Sequence, residues 1–138
     1  MKKISWITLL IVILFTSLSA QLPDPQEVIS AKIEGNQIKV TYNIPEGFHQ
    51  TLQEDMFFVD VDEVEGITFE STVYPNGEEM EDGSIEFHGI VSLTKNFVGK
   101  DNFNDDTLIT IYAGYQFCDE GGTCFMPEEI ELSLSLSS

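Results

Sequence analysis

Cys118 and Cys124 are the chain's two cysteines, with Asp119-Glu120-Gly121-Gly122-Thr123 between them. Such a pair can form one intramolecular disulfide, and a disulfide has two uses. It can staple a fold, or it can exchange with a partner's thiolate and carry two electrons. Other reactive patterns are weak. The serines and threonines have no G-x-S-x-G motif and no histidine placed to activate them. His49 and His88 complete no common zinc spacing with the cysteines. The Asp- and Asn-rich run 101–106 lacks the glycine and distal glutamate of a calcium loop, and Asp60 and Asp62 fail the same test. These turns and Glu128-Glu129 read as solvated, and the sequence leaves weak calcium binding open. The expectation is no metal site and no cofactor.

Two considerations separate staple from exchange centre. A Cys118–Cys124 bridge closes a loop of seven residues. Chain entropy gives such a loop about 2–2.5 kcal/mol, against about 4.7 for a 100-residue loop. Gly121-Gly122 already favours the turn, so a staple here adds little. A bridge between neighbouring strands is also reducible where it is strained or exposed. The second consideration is charge. Asp119 and Glu120 disfavour a thiolate, so a reduced cysteine here is a sluggish attacker by itself. That suits a carrier whose disulfide is attacked by a partner and whose thiols react once docked.

The elements that must position the pair read as strands. Residues 28–34 alternate, with Ile29, Ala31 and Ile33 on one face, and Gly35-Asn36 signals a hairpin. Ile38, Val40, Tyr42 and Ile44 alternate with Lys39, Thr41 and Asn43, the pattern of a half-buried strand. Residues 48–55 are ambiguous between strand and loop. Phe57, Val59 and Val61 mark a strand, 67–74 is β-rich, and Pro75-Asn76-Gly77 turns. Residues 78–83 read as an exposed acidic loop, 85–97 as one strand and 99–106 as a polar loop. A long strand covers 108–117, with Ile109, Ile111, Ala113, Tyr115 and Phe117 facing one way. Ile130, Leu132, Leu134 and Leu136 alternate with polar residues in the last strand. No stretch of useful length has a helical period, and 21–26, with Pro23 and Pro25, reads as an extended lead-in. Seven or eight strands separated by turn signals predict an all-β fold, an immunoglobulin-like β-sandwich in a single domain over 21–138.

Residues 1–20 read as a signal peptide. Lys2 and Lys3 precede an apolar run over 4–15, and Thr16-Ser17-Leu18-Ser19-Ala20 follows, with cleavage expected near Ala20. Leu18 fits the third position before the cut poorly, which leaves the site free to shift slightly. The run 4–20 is short for a membrane span and is broken by Ser and Thr. No cysteine follows it to take a lipid, and no second apolar run exists. A soluble exported chain without membrane insertion is expected, in a compartment where disulfides form. Beyond residue 20, four lysines face all 24 Asp and Glu of the chain, and there is no arginine. A balance of −20 repels nucleic acid and anionic membrane. An 11% aromatic content and regular alternation argue against acidic disorder.

With these strands in place, a family resemblance becomes specific. Tyr115-Gln116-Phe117-Cys118, five residues, then Cys124-Phe125-Met126-Pro127 resembles the active-site hairpin of the N-terminal domain of the periplasmic thiol:disulfide interchange protein DsbD. The pattern in that family is approximately Y-Q-x-C, five residues, C-aromatic-x-P, on an immunoglobulin-like fold. The flanking strands over 107–113 and 130–136 sit where the family has them. Glu86-Phe87-His88-Gly89 resembles the family's cap loop, an acidic-Phe-aromatic-Gly sequence that closes over the disulfide. The likeness is good over 86–127 and weak over the rest of 21–138.

The resemblance implies a thiol–disulfide relay in the periplasm, with protein-disulfide reductase character. Electrons would come from a thioredoxin-like donor fed by a membrane thiol transporter. They would pass to periplasmic oxidoreductases, including a disulfide isomerase and proteins of cytochrome c maturation. By resemblance Cys124 forms the mixed disulfide with partners, Cys118 resolves it, and Phe87 is the aromatic that shields the pair. Tyr115, Gln116, Phe125 and Pro127 would support the hairpin. The sequence departs from the family in three ways. Gly47-Phe48-His49-Gln50-Thr51 stands where a tyrosine-rich stretch is usual, and the region before the cap is acidic. No membrane domain or thioredoxin-like domain accompanies this sequence, so donor and transporter are expected as separate chains. The alternative reading is a non-catalytic exported immunoglobulin-like binding module whose disulfide is only structural.

Overall fold

A computed structural model of the chain describes residues 24–99 and 106–136. The expected signal peptide and nearly all of the polar loop at 99–106 lie outside the described residues. A single helical turn, α1 (Pro25–Val28), opens the described chain. It replaces the extended lead-in expected there: Pro25 takes a first-turn position where its missing N–H costs nothing. Eleven strands follow among the described residues: β1 (Ile29–Glu34), β2 (Gln37–Asn43), β3 (Phe48–Thr51), β4 (Phe58–Val61), β5 (Thr68–Val73), β6 (Glu78–Glu79), β7 (Ile85–Phe87), β8 (Ile90–Val98), β9 (Leu108–Tyr115), β10 (Phe117–Asp119) and β11 (Glu128–Ser135).

The strands form three antiparallel sheets, ordered β1-β2-β8-β5, β11-β9-β4 and β10-β3-β7-β6. The first two face each other as the sandwich. Ile38, Val40, Tyr42 and Leu93 turn inward from one, and Val59, Ile109, Ile111 and Ala113 from the other; all are 0% exposed. The alternation read from the sequence is thus the pleat of half-buried strands. Two hydrogen-bonding side chains tie the sheets. The Tyr42 hydroxyl donates to the carbonyls of Phe58 (3.2 Å) and Gly114 (3.1 Å), and the Thr72 hydroxyl donates to the Val59 carbonyl (3.0 Å). Architecture and all-β composition are those of the expected immunoglobulin-like sandwich.

The third sheet departs from the sequence reading. The single strand expected over 85–97 is two strands, β7 and β8. They are separated at His88-Gly89, where Gly89 has φ +68 and its carbonyl accepts from Ile44 N–H (2.9 Å). That left-handed backbone is cheap only for glycine. The long strand expected over 108–117 also divides. β9 pairs in the sandwich, and after Gln116 the chain joins the third sheet as β10. The ambiguous 48–55 contains β3, which lies between β10 and β7. The acidic loop expected at 78–83 begins as the edge strand β6. Phe48, Phe87 and Phe117 of this sheet join the common core.

Candidate functional site

The strand switch at Gln116 carries the cysteines. Cys118 and Cys124 face each other as an isolated antiparallel bridge. Flanking hydrogen bonds run from Phe125 N–H to Phe117 O (3.0 Å) and from Asp119 N–H to Thr123 O (2.8 Å). The cysteines therefore occupy a non-hydrogen-bonded position, where facing strands approach most closely. Their Cα atoms are 3.9 Å apart and the sulfurs are joined as a disulfide. The turn at the tip is closed by Gly122 N–H to Asp119 O (3.1 Å), with Gly122 at φ +88. Asp119 Oδ1 accepts a further bond from Thr123 N–H (2.8 Å). The acidic residue inside the loop is thus part of the turn.

The two sulfurs sit in different surroundings. Cys118 is 6% exposed, in a strand covered by β3. Cys124 is exposed, between exposed Thr123 and half-buried Phe125. The register assigns faces. Phe117, Gln50 and Phe87 are cross-strand partners and share the core face, whereas Cys118 pairs with His49, and Glu86 with Thr51, on the other. On that outer face Glu86 lies between two imidazoles. Its Oε1 is 3.4 Å from His49 Nε2 and its Oε2 is 3.5 Å from His88 Nε2. Glu78 Oε2 approaches His88 Nε2 at 3.9 Å. The His49 and Glu86 side chains are only 13% and 17% exposed.

The hairpin is held from both sides by amides. Gln50, 1% exposed, accepts Gln116 N–H at its Oε1 (2.7 Å) and donates from Nε2 to Thr51 O (2.8 Å). Gln116 Nε2 donates to Phe125 O (3.0 Å), tying the strand before Cys118 to the residue after Cys124. Phe125 stacks obliquely on Phe48, with ring centres 5.5 Å apart. Tyr115 packs on Phe117 at 4.7 Å, and burial, then Glu128, pushes its phenol above the ordinary value. Met126 stands 81% exposed beside the bridge, and Pro127 is exposed.

A family profile described as "Thiol:disulfide interchange protein DsbD, N-terminal" matches residues 19–136. The chain belongs to this family. Two solved structures share its fold. One is the DsbD N-terminal domain of Neisseria meningitidis in the reduced form. It is 18% identical, with 84% of this chain and 90% of that chain covered and a TM-score of 0.63. The other is the complex between the DsbD N-terminal and PilB N-terminal domains of Neisseria meningitidis. It is also 18% identical, with 81% and 85% covered and a TM-score of 0.60. No curated protein gives a significant match. Membership of the DsbD N-terminal family places the chain, at the level of the family, among thiol–disulfide relay domains. No helix among the described residues is long and apolar enough to cross a membrane.

The residues expected at the DsbD-type site are brought together in an order the sequence did not give. Tyr115, Gln116, Phe125 and Pro127 do flank the cysteines. The segment expected as a cap loop is a strand, β7, as far as Phe87. Its alternation turns Phe87 to the core, where it is 3% exposed and lies 5.5 Å from the Phe57 ring. Within 86–89, Glu86 and His88 are the side chains that meet His49 and each other on the disulfide's side of the sheet. His49 and Gln50 were overlooked as site residues. The signal that pointed to them was their place in 47–51, where the DsbD family has its tyrosine-rich stretch.

Proposed function

We propose that this chain is a periplasmic thiol–disulfide relay domain that cycles Cys118–Cys124 between disulfide and dithiol. It is exported by a signal peptide over 1–20 and folds as one domain from residue 21. The observation that carries the reading is the burial asymmetry of the pair within a DsbD-type hairpin. A partner's thiolate reaches exposed Cys124 first. A bond forms from the partner sulfur to Cys124 Sγ, the bridge breaks, and Cys118 leaves with the electron pair. The partner's second thiolate then displaces Cys124, so the partner becomes a disulfide and this chain a dithiol. Delivery runs the other way: Cys124 attacks an oxidised client and Cys118 resolves the mixed disulfide.

The donor is a thioredoxin-like dithiol, itself supplied by a membrane thiol transporter. The clients are periplasmic oxidoreductases, among them those serving disulfide isomerisation and cytochrome c maturation. A docking partner for this fold is supported by the Neisseria complex with PilB. Segment 86–89 screens the bridge through Glu86 and His88, and Phe87 anchors it in the core. The test is trapping. Single-cysteine variants Cys118→Ser and Cys124→Ser are charged with thionitrobenzoate and mixed with a thioredoxin lacking its resolving cysteine. The expected result is a mixed disulfide through Cys124 in Cys118→Ser and little or none through Cys118 in Cys124→Ser. Adducts forming equally at both, or at neither, would refute the assignment.

A further inference from the structure

When the bridge is attacked at Cys124, Cys118 departs as a thiolate from a nearly buried position. Its neighbours along the chain, Asp119 and Glu120, are acidic and oppose a second negative charge. Among the described residues, the lysines are Lys32, Lys39 and Lys95, and all lie in β1, β2 and β8 of a different sheet. In and beside the sheet that holds the disulfide, the described side chains able to become cations are His49 and His88. His49 is the direct cross-strand partner of Cys118 on the same face. Glu86 Oε1, on the neighbouring strand β7, lies 3.4 Å from His49 Nε2. The Cys118 residue, the His49 imidazole and the Glu86 carboxylate therefore lie on neighbouring strands β10, β3 and β7 of one sheet face. That is the order in which a base is oriented beside a sulfur.

We infer that His49 is the proton carrier for Cys118, oriented by Glu86. This rests on the relay reading. As the Cys118–Cys124 bond breaks, the His49 imidazolium gives its proton to the departing Cys118 sulfur. The products are a neutral imidazole, a Cys118 thiol and the partner–Cys124 mixed disulfide. In the resolving direction neutral His49 takes the Cys118 proton. The resulting thiolate attacks Cys124 Sγ, and the partner leaves as a thiolate. His88, 44% exposed and between Glu86 and Glu78, competes for Glu86 but has no cysteine opposite. The charged or titratable groups around His49 are thus Glu86 of β7, His88 just after it, Glu78 of β6, and Cys118 and Asp119 of β10.

The test is reduction of the oxidised protein by dithiothreitol, comparing wild type, His49→Gln and His88→Gln from about pH 5.5 to 8.5, the range in which imidazole titrates. The wild-type to variant rate ratio at each pH cancels the reductant's own ionisation. For His49→Gln the ratio is expected to be about 10 to 100 at the acid end, the lower range of general acid catalysis, and to fall towards about one at the alkaline end. For His88→Gln it stays near one throughout. A flat His49→Gln ratio would overturn the inference, because a purely structural role would not follow imidazole protonation. If His49→Gln does not fold, imidazole NMR titration of the wild type replaces it. The His49 midpoint is expected to differ between the disulfide and dithiol forms, and identical midpoints would overturn the inference. A native disulfide that dithiothreitol cannot reduce at any pH would instead refute the relay reading itself.

Discussion

Gln50 has a role that its place in the sequence conceals. It is a buried amide on a face otherwise lined by Phe48, Phe87 and Phe117, and both of its polar ends are used. Its oxygen satisfies the Gln116 N–H at the residue where the chain leaves one sheet for another. Replacing it with Leu keeps the bulk but leaves that donor without its partner. A buried orphan of this kind costs about 1–3 kcal/mol. Urea unfolding of Gln50→Leu should therefore show a loss of unfolding free energy of that size, with a looser hairpin and faster reduction of the bridge. A variant as stable as wild type would mean that Gln116 finds another acceptor. The cysteines are simpler at this scale. The disulfide chemistry is written in one residue type at one spacing, whereas Gln50 acts on a residue 66 positions away.

The same contrast holds among the elements. β2, β9 and β11 were legible because their apolar residues repeat every second position and one sheet face is buried. The two breaks were not. Tyr115 and Phe117 keep the alternation running across Gln116, so the pattern cannot signal that the hydrogen-bonding partner changes from β4 and β11 to β3. At His88-Gly89 a strand-like composition continues through a backbone turn that glycine alone makes cheap. β3 was obscured because one of its inward residues is the polar Gln50, which spoils a four-residue pattern. The hairpin motif identified the cysteines and their supports. The faces of the third sheet, and with them the placement of His49, Glu86 and Phe87, depend on register between strands far apart in sequence. As an element the hairpin is well held without its covalent link. The Asp119–Gly122 turn, the Gln116–Phe125 bond and the Phe48–Phe125 contact do not involve the sulfurs and are expected to persist on reduction, against a loss of about 2–2.5 kcal/mol for opening so short a loop.

At the scale of the molecule, two features combine. The sandwich core buries phenols. Tyr42 is fully enclosed, and burial, with Tyr74 and Tyr115 nearby, pushes its phenol far above the ordinary range. Tyr74 is pushed up to about 12 by burial, then by Glu54 and Asp60. Both stay neutral in the fold, while an unfolded chain releases these protons from about pH 10. The native state then binds more protons than the unfolded state, so stability falls as pH rises. Their contribution is intact below about pH 10 and is lost from there through about pH 12, with Tyr42 alone worth up to about 1.4 kcal/mol per pH unit. An alkaline titration followed by circular dichroism and tyrosinate absorbance should show ionisation of these tyrosines coinciding with unfolding. Their ionisation near pH 10 in an intact fold would contradict their burial.

The second feature is separation of charge from chemistry. Described lysines lie on a different sheet from the disulfide, and acidic residues flank the hairpin that exposes Cys124. A relay built this way must be reducible while folded. The most direct test is the reduction potential of Cys118–Cys124 in glutathione redox buffers, with near-UV circular dichroism recorded at each point. The relay account predicts a potential less negative than about −300 mV and an unchanged tertiary signal in the dithiol form. A potential more negative than about −300 mV, or reduction accompanied by unfolding, would contradict it and identify the bridge as a structural staple.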